Sequence, residues 1–508
     1  MFYRVISAVV LGLKVYSVQV EVDVNDGLPG FVMVGYLTSQ VREAQDRVRT
    51  ALRNSGFALP PKRITVNLSP ADIRKDGTGF DLPIAAAILC AIGKVPEDSL
   101  KDVFLAGELG LNGEIHFVRG ILPMILNARE EGCRLCIVPG DNLAEARAVD
   151  GMECVGVNHI RELLEYLRHG ILPRGQEVNP YEVQMDYGED FSDIYGQESL
   201  KRASLIAVSG FHNMLLIGPP GAGKSMLAKR IPTILPRLSK EESLEISRIY
   251  SVAGMLTPHQ PFMGRRPYRA PHHTSSPQSL AGGGLIPRPG EITLAHGGVL
   301  FLDELPEFSR RSLEILRQPL EEKKINLARS SGNYCFPANF LLFAAMNPCP
   351  CGHYRDRNRC RCTPGEISRY QKKISFPLLD RMDICMEMEE VPYEALVTKD
   401  KNCVTSAELR EKAERVFEIQ QKRYQGMEIR FNSQLKPGMM EEFCKMEDSA
   451  VKLLEKAFIK FRLSPRVYHR IIRVGRTVAD MEGKEIISGE HISEAIRYRC
   501  IDDQYWSM

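Results

Sequence analysis

The 508-residue sequence has no apolar run near the roughly 20 residues that a membrane-spanning helix needs. It shows no internal repeat and no low-complexity tract. It has almost no excess charge, since 66 basic and 64 acidic side chains leave +2 at neutral pH. Global polyelectrolyte attraction to nucleic acid is thereby excluded, and any such contact must come from local basic patches. It also lacks a disulfide framework: thirteen cysteines are scattered, apart from four between Cys349 and Cys362, as expected in a reducing compartment. Cys133 and Cys136 have zinc-like spacing, but GCRLCIVP reads as a buried strand whose positions i and i+3 face opposite ways. They are expected to be core cysteines. Finally, no secretory leader is expected. ISAVVLGL (6–13) is short, meets Lys14 at once and runs into the alternating VQVEVDV rather than a cleavage site. It reads as the first strands of a cytoplasmic protein with no membrane segment.

Positive features then set the organisation. At roughly 100–200 residues per domain the length predicts about three domains. Residues 1–172 alternate strand and helix patterns. FVMVGY and KRITVNLSP read as strands, SQVREAQDRVRTALRNSG as an amphipathic helix and DLPIAAAILCAIG as a buried one. VFLAGELGLNG reads as a hairpin-like strand pair, ILPMILNAREEG as a helix, RLCIVP and ECVGV as strands, and IRELLEYLRHG as a closing helix. Residues 173–190, rich in Pro and acidic residues, form a linker by composition. Residues 191–395 are a second βα region, and 396–508 are almost purely helical, as in ELREKAERVFEIQQKRY and EDSAVKLLEKAFIKF. The fold class is α/β: an N-terminal α+β domain, a central P-loop domain and a C-terminal helical lid.

The chemistry is concentrated in the central region. MLLIG is a short apolar strand, followed by Pro219-Pro220-Gly221-Ala222-Gly223-Lys224-Ser225 and the helix-forming MLAKRI. With Gly218 this fits G-x4-G-K-[ST] in the strand–loop–helix context that the motif requires. Glycines let backbone N–H groups curl around phosphate oxygens, and the helix N-terminus adds its dipole. Lys224 would reach the β- and γ-phosphates of ATP, and the Ser225 hydroxyl would ligate magnesium. GGVLFLDELPEF has the near-continuous apolar character of a buried parallel strand and ends in Asp303–Glu304, where ligand sites lie. Asp303 would hold the magnesium and Glu304 would polarise the attacking water. FLLFAAMN is another buried strand, ending in Asn347, whose amide could orient that water or contact the γ-phosphate.

P-loop, acidic strand and Asn-ended strand occur in the order found in AAA+ ATPases. YRAPHHTSSPQSLAGGG, LAHGGVLFLDELPEF, LRQPLEE, AMNPCPCG and PLLDRMDI closely resemble the magnesium-chelatase-like branch. Within that branch the competence protein ComM (YifB) family is similar over nearly the whole chain. The resemblance implies that Arg381 in LLDRMDI is an arginine finger reaching a neighbouring subunit's ATP, and that Arg466 at the start of a lid helix is a sensor-2 arginine. Both imply a ring, and the family habit is a hexamer. The N-terminal segment resembles the Lon-protease-like, ribosomal-S5-type domain, but Gly79 stands at the place of the serine nucleophile. Leu122 stands at the place of the lysine, and no evident base accompanies Thr78. Without nucleophile and base there is no covalent hydrolysis to run, so a non-proteolytic scaffold is expected. Lys62, Arg63, Arg74 and Lys75 are either a DNA platform or a solvated basic loop.

NPCPCGHYRDRNRCRCTP carries Cys349, Cys351, Cys360 and Cys362 as C-x-C-x8-C-x-C. Four close thiolates could close a tetrahedral zinc site, with His353 able to replace one; a metal-free loop or a redox switch would use the same residues. Arg355, Arg357, Arg359 and Arg361 would then form a basic edge. INLARSSGNYCFPANF reads as a hairpin with a Ser-Gly-Asn turn. In the related helicases a hairpin here grips DNA phosphates in the ring channel, which makes Arg329 the candidate contact. His272 and His273 belong to an insertion loop rather than a metal site.

The leading expectation is therefore an ATP-driven homohexameric motor on single-stranded or branched DNA, a helicase or branch-migration enzyme of recombination. A chelatase motor subunit is the first alternative, although that system's N-terminal organisation differs and no D-x-S-x-S motif is present. An ATP-dependent protease conflicts with Gly79, and an ATP-binding scaffold conflicts with the Lys224, Asp303 and Glu304 set.

Overall fold

A computed structural model describes residues 1–177, 188–284, 286–329, 332–354, 356, 358–389 and 403–499. The N-terminal unit is a seven-stranded mixed sheet. From edge to edge its strands are Gly30–Val34, Arg63–Ser69, Lys14–Asn25, Phe2–Leu11, Val103–Leu105, Leu135–Pro139 and Glu153–Val157. The alternation in VQVEVDV places Val18, Val20, Val22 and Val24 in the core. Burying each contributes about 1.5–3 kcal/mol, and a one-residue slip would expose all four, which fixes the register. The helix Asp81–Ala91, apolar on every side after Asp81 and entirely buried, lies across the two longest strands. Cys133 and Cys136 are both buried.

Two local expectations are corrected. VFLAGELGLNG is not a hairpin. Val103–Leu105 enters the main sheet parallel to its neighbours, and Glu108–Leu109 pairs instead with Ile115–His116 in a separate ribbon. The SQVREAQDRVRTALRNSG helix is divided at Glu43 into Ser39–Arg42 and Ala44–Asn54.

The second sheet is all parallel, in the order Tyr268–Arg269, Val299–Leu302, Leu341–Met346, Met214–Ile217, Ile384–Glu387. In-register pairs such as Ile217 with Met346 and Leu302 with Ala344 bring the carboxyl ends of three neighbouring strands to one edge. The helical region, chiefly Ser406–Arg423, Asp448–Lys460, Pro465–Met481 and Gly489–Arg497, shares one core with this sheet. Leu409, Ala413 and Ile471 pack in the same cluster as Leu216, Leu227 and Phe343. Among the described residues, no helix is long and apolar enough to cross a membrane.

The N-terminal unit is anchored on the second through its helix Ile121–Glu130, which meets helix Lys240–Ala253. Gly120 N–H donates to the Ser251 carbonyl at 3.1 Å. The Ser251 hydroxyl donates to Glu145, which also accepts from Leu122 N–H and Asn142 at 3.0 Å each. Burial pushes the Glu145 carboxyl above its ordinary value, against these three donors.

Candidate nucleotide site

The loop after Met214–Ile217 turns on Gly221 and Gly223, with φ of +81° and +94°, a region that L side chains rarely adopt. Gly218 lies so close to the backbone of Met388 that an added Cβ would stand 2.8 Å from its carbonyl oxygen. Helix Lys224–Ile234 then starts at the loop's end. The Lys224 ammonium is buried and is held at 2.7 Å from the Gly218 carbonyl, 2.9 Å from that of Pro219 and 3.0 Å from Asn347 Oδ1. Burial pushes it below its ordinary value, while Asp303 and Glu304 push it back up. Ser225 Oγ donates to Asp303 Oδ2 at 2.6 Å. One hydroxyl from the start of helix Lys224–Ile234 and one carboxylate oxygen from the end of strand Val299–Leu302 thus stand where a hard divalent cation would find ligands.

Glu304 follows Asp303 with φ of +50°, an uncommon conformation for a non-glycine residue and one found at functional sites. Its N–H donates back to Asp303 Oδ1 at 2.9 Å, and the turn leaves its carboxylate 55% exposed and free to meet water. His273 Nδ1 lies 3.2 Å from Glu304 Oε2. The rings of His272 and His273 are 4.1 Å apart and tilted, and His272 Nδ1 lies 2.9 Å from the Thr274 hydroxyl. No signal in the sequence marks His273, because the contact spans 31 positions and no spacing rule connects an insertion loop to a strand end.

Arg381 is not free on the surface. Its side chain is 4% exposed, with one nitrogen donating to the Pro377 carbonyl and another paired with Glu321, rather than with Asp380 or Asp383. Arg466, 62% exposed, lies 3.6 Å from the same Glu321 oxygen. Burial, with Arg466, Arg317 and Arg470 nearby, holds the Arg381 guanidinium below its ordinary value despite Glu321. Arg381 precedes Ile384–Glu387, whose far end reaches Met388 beneath the P-loop. The four-residue strand separates them by about 13 Å at 3.3 Å per residue. Arg381 and Arg466 therefore occupy the edge of the sheet opposite the P-loop of their own chain.

Asp383 fastens the same segment through shared partners, since Asn213 and Arg470 also donate to the Arg381 carbonyl at 3.0 and 3.1 Å. It accepts from Asn213 N–H at 3.0 Å and from Arg470 at 2.5 Å. Arg470 and His212 hold its carboxyl far below the usual range, against complete burial. A depressed folded value gives stability that is full above the unfolded carboxylate range and lost as pH falls. Asp383→Ala should thus lower the thermal midpoint at pH 7 through a loss of about 3 kcal/mol, since the half-buried Arg470 is left without its anion. The gap between variant and parent melts should begin to close only below about pH 4.

Other expected positions fall as follows. Hairpin strands Lys324–Arg329 and Gly332–Pro337 pair from Lys324 with Pro337 to Arg329 with Gly332. Gly332 and Asn333 therefore belong to the ladder and not to a Ser-Gly-Asn turn. Arg329, Arg359 and Arg361 are exposed, while Arg355 and Arg357 lie outside the described residues. Arg359 is 3.6 Å from Asp356. In the N-terminal unit Lys75 is fully buried with its ammonium on the Pro70 carbonyl, which removes it from any basic surface. Lys62 is paired with Asp26 at 2.9 Å. Thr78 is not unaccompanied: its hydroxyl donates to Glu108. Leu122 is fully buried, so no amine stands at that place.

Three family models cover most of the chain: magnesium chelatase, subunit ChlI, over residues 190–396; subunit ChlI of Mg-chelatase over 20–142; and the ChlI C-terminal region over 404–499. The chain is 42% identical over 496 residues to the competence protein ComM of Haemophilus influenzae, covering 97% of this chain and 96% of the relative. The chain belongs to the ComM/YifB family. YifB of Escherichia coli is 41% identical with the same coverage of each chain. Lon protease 2 of Bacillus subtilis is 29% identical over 149 residues, 29% of this chain and 26% of the relative. The ComM/YifB chain accordingly combines a Lon-like N-terminal domain, a magnesium-chelatase-like AAA+ domain and a helical C-terminal region. Its family implies ATP and magnesium as ligands and ATPase chemistry.

Proposed function

We propose that this ComM/YifB chain is a ring-forming ATPase motor, a hexamer, that moves on single-stranded or branched DNA in a helicase or branch-migration role. One observation carries the reading. Lys224, Ser225, Asp303 and Asn347 meet at one edge of the parallel sheet, whereas Arg381 and Arg466 stand at the opposite edge, beyond reach of their own P-loop. A site divided this way is completed when the second edge of one subunit meets the first edge of the next.

Within each site the P-loop N–H groups and Lys224 would hold the phosphates, in place of the carbonyl contacts that Lys224 now makes. Ser225 and Asp303 would hold magnesium, which neutralises phosphate charge when bound. Glu304 accepts a proton from the attacking water, and Asn347 orients that water. Arg381 and Arg466 stabilise charge on the neighbouring subunit's phosphates as it spreads. The N-terminal domain is a scaffold, because glycine at position 79 and leucine at 122 supply neither nucleophile nor amine.

The DNA contact is assigned to the exposed Arg329 at the hairpin end. The distinguishing experiment measures ATPase stimulation and binding with single-stranded, duplex and four-way-junction DNA across a salt series. An ATP analogue is present to hold the ring. Binding should fall linearly with log salt, with a slope of about −0.7 to −0.9 per phosphate neutralised, and should discriminate DNA by shape rather than sequence. Arg329→Ala should flatten that slope and uncouple ATPase from DNA, with basal turnover intact. Salt-independent binding, or no binding to any DNA form at low salt, removes the DNA motor and leaves an ATPase with another task.

A further inference from the structure

Four sulfur atoms converge in the loop that leaves the Asn347 strand. The Sγ atoms of Cys349, Cys351, Cys360 and Cys362 all lie within 4.8 Å of one another. Three separations are 3.4 Å for Cys349–Cys351, 3.6 Å for Cys351–Cys360 and 3.9 Å for Cys349–Cys360. A disulfide requires about 2.05 Å, and all four cysteines are free. Four sulfurs at the corners of a tetrahedron, each about 2.3 Å from a central zinc, stand about 3.8 Å apart. The three edges among Cys349, Cys351 and Cys360 agree with that figure to within a few tenths of an ångström, and Cys362 Sγ lies within 4.8 Å of each. Cys349 is buried and the other three are half-buried. An all-sulfur, four-donor set selects a soft or borderline ion over magnesium or calcium, and with four protein ligands it leaves no position open for chemistry.

The position of the cluster gives it a consequence. Gly352, between Cys351 and His353, has φ of +83°, and a Cβ added there would stand 2.3 Å from Cδ of Pro220. Backbone of the cysteine loop therefore rests directly on the P-loop. The loop's first residues are tied from the other side, where Gln371 Nε2 donates to the Pro348 carbonyl at 3.3 Å.

We propose that Cys349, Cys351, Cys360 and Cys362 bind one zinc ion as a closed tetrathiolate site. The ion holds the loop in the fold that seats Gly352 against Pro220, and so props the P-loop in its nucleotide-binding shape. The metal site stands on sulfur geometry alone, while its effect on nucleotide rests on the P-loop reading given above.

Full-length protein purified without metal-affinity resin tests both parts. Elemental analysis should give about one zinc per chain, released by a mercurial thiol reagent, and the Cys360→Ser/Cys362→Ser variant should contain none. A stoichiometry near zero in the parent, with four freely alkylated thiols, overturns the site. Gly352→Ala leaves every thiol in place. It should keep its zinc and bind a fluorescent ATP analogue about tenfold more weakly, in the range that supporting contacts carry. Full zinc content with unchanged analogue affinity in Gly352→Ala overturns the propping role and leaves the metal site standing. If the parent itself binds no nucleotide, the P-loop reading fails instead, whatever the zinc content.

Discussion

Glu304→Gln is expected to bind ATP as tightly as the parent and to lose turnover by about 10²–10⁴-fold, the range that a positioned general base contributes. The exchange removes only the ability to take a proton: size, shape and the strained turn after Asp303 are retained. Lys224→Ala should behave differently. Its ammonium is buried among the Gly218 and Pro219 carbonyls and Asn347, where phosphate oxygens would take over as partners. Its loss should weaken nucleotide binding itself. Equilibrium binding of a fluorescent ATP analogue, with single-turnover hydrolysis on the same preparations, separates the two. Unchanged turnover in Glu304→Gln would sink the catalytic assignment.

Arg381→Ala is expected to depress hydrolysis in assembled protein by about 10³–10⁵-fold, as loss of an arginine finger does. Because Arg381 is buried on Glu321, a loss could also come from damaged structure. Two readouts distinguish the causes. Arg381→Lys keeps a cation against Glu321 but lacks the planar fork, so it should melt close to the parent and still hydrolyse slowly. Mixed rings of Arg381→Ala and Glu304→Gln subunits should regain activity, since an interface between an intact Arg381 and an intact Glu304 then exists. Unfolded subunits could not provide one. Normal hydrolysis by assembled Arg381→Ala rings would show that the finger is elsewhere.

Several elements were legible in one dimension. A phosphate cradle is built from consecutive backbone groups, so the glycines at 218, 221 and 223 and Lys224 carry their geometry in their spacing. The strands ending at Leu302 and Met346 announce themselves by unbroken apolar runs. Valine alternation in VQVEVDV identifies the core strand Lys14–Asn25. The hairpin reading of VFLAGELGLNG failed because its first strand gains more hydrogen bonds in the interior of the main sheet than on a short ribbon. Lys75 was misread as surface because sequence carries no sign of which way a loop side chain turns.

The sequence by itself determined where the glycine-rich loop, the acidic pair and the amide follow their strands, because those features depend on neighbours along the chain. Only the tertiary structure decided that Arg381 and Arg466 share Glu321 at the far edge, that His273 reaches Glu304, and that Gly352 rests on Pro220. Each of these contacts joins residues brought together by the order of the five parallel strands. That order is set by burial of both sheet faces and by the long crossovers between parallel strands, which no local spacing encodes.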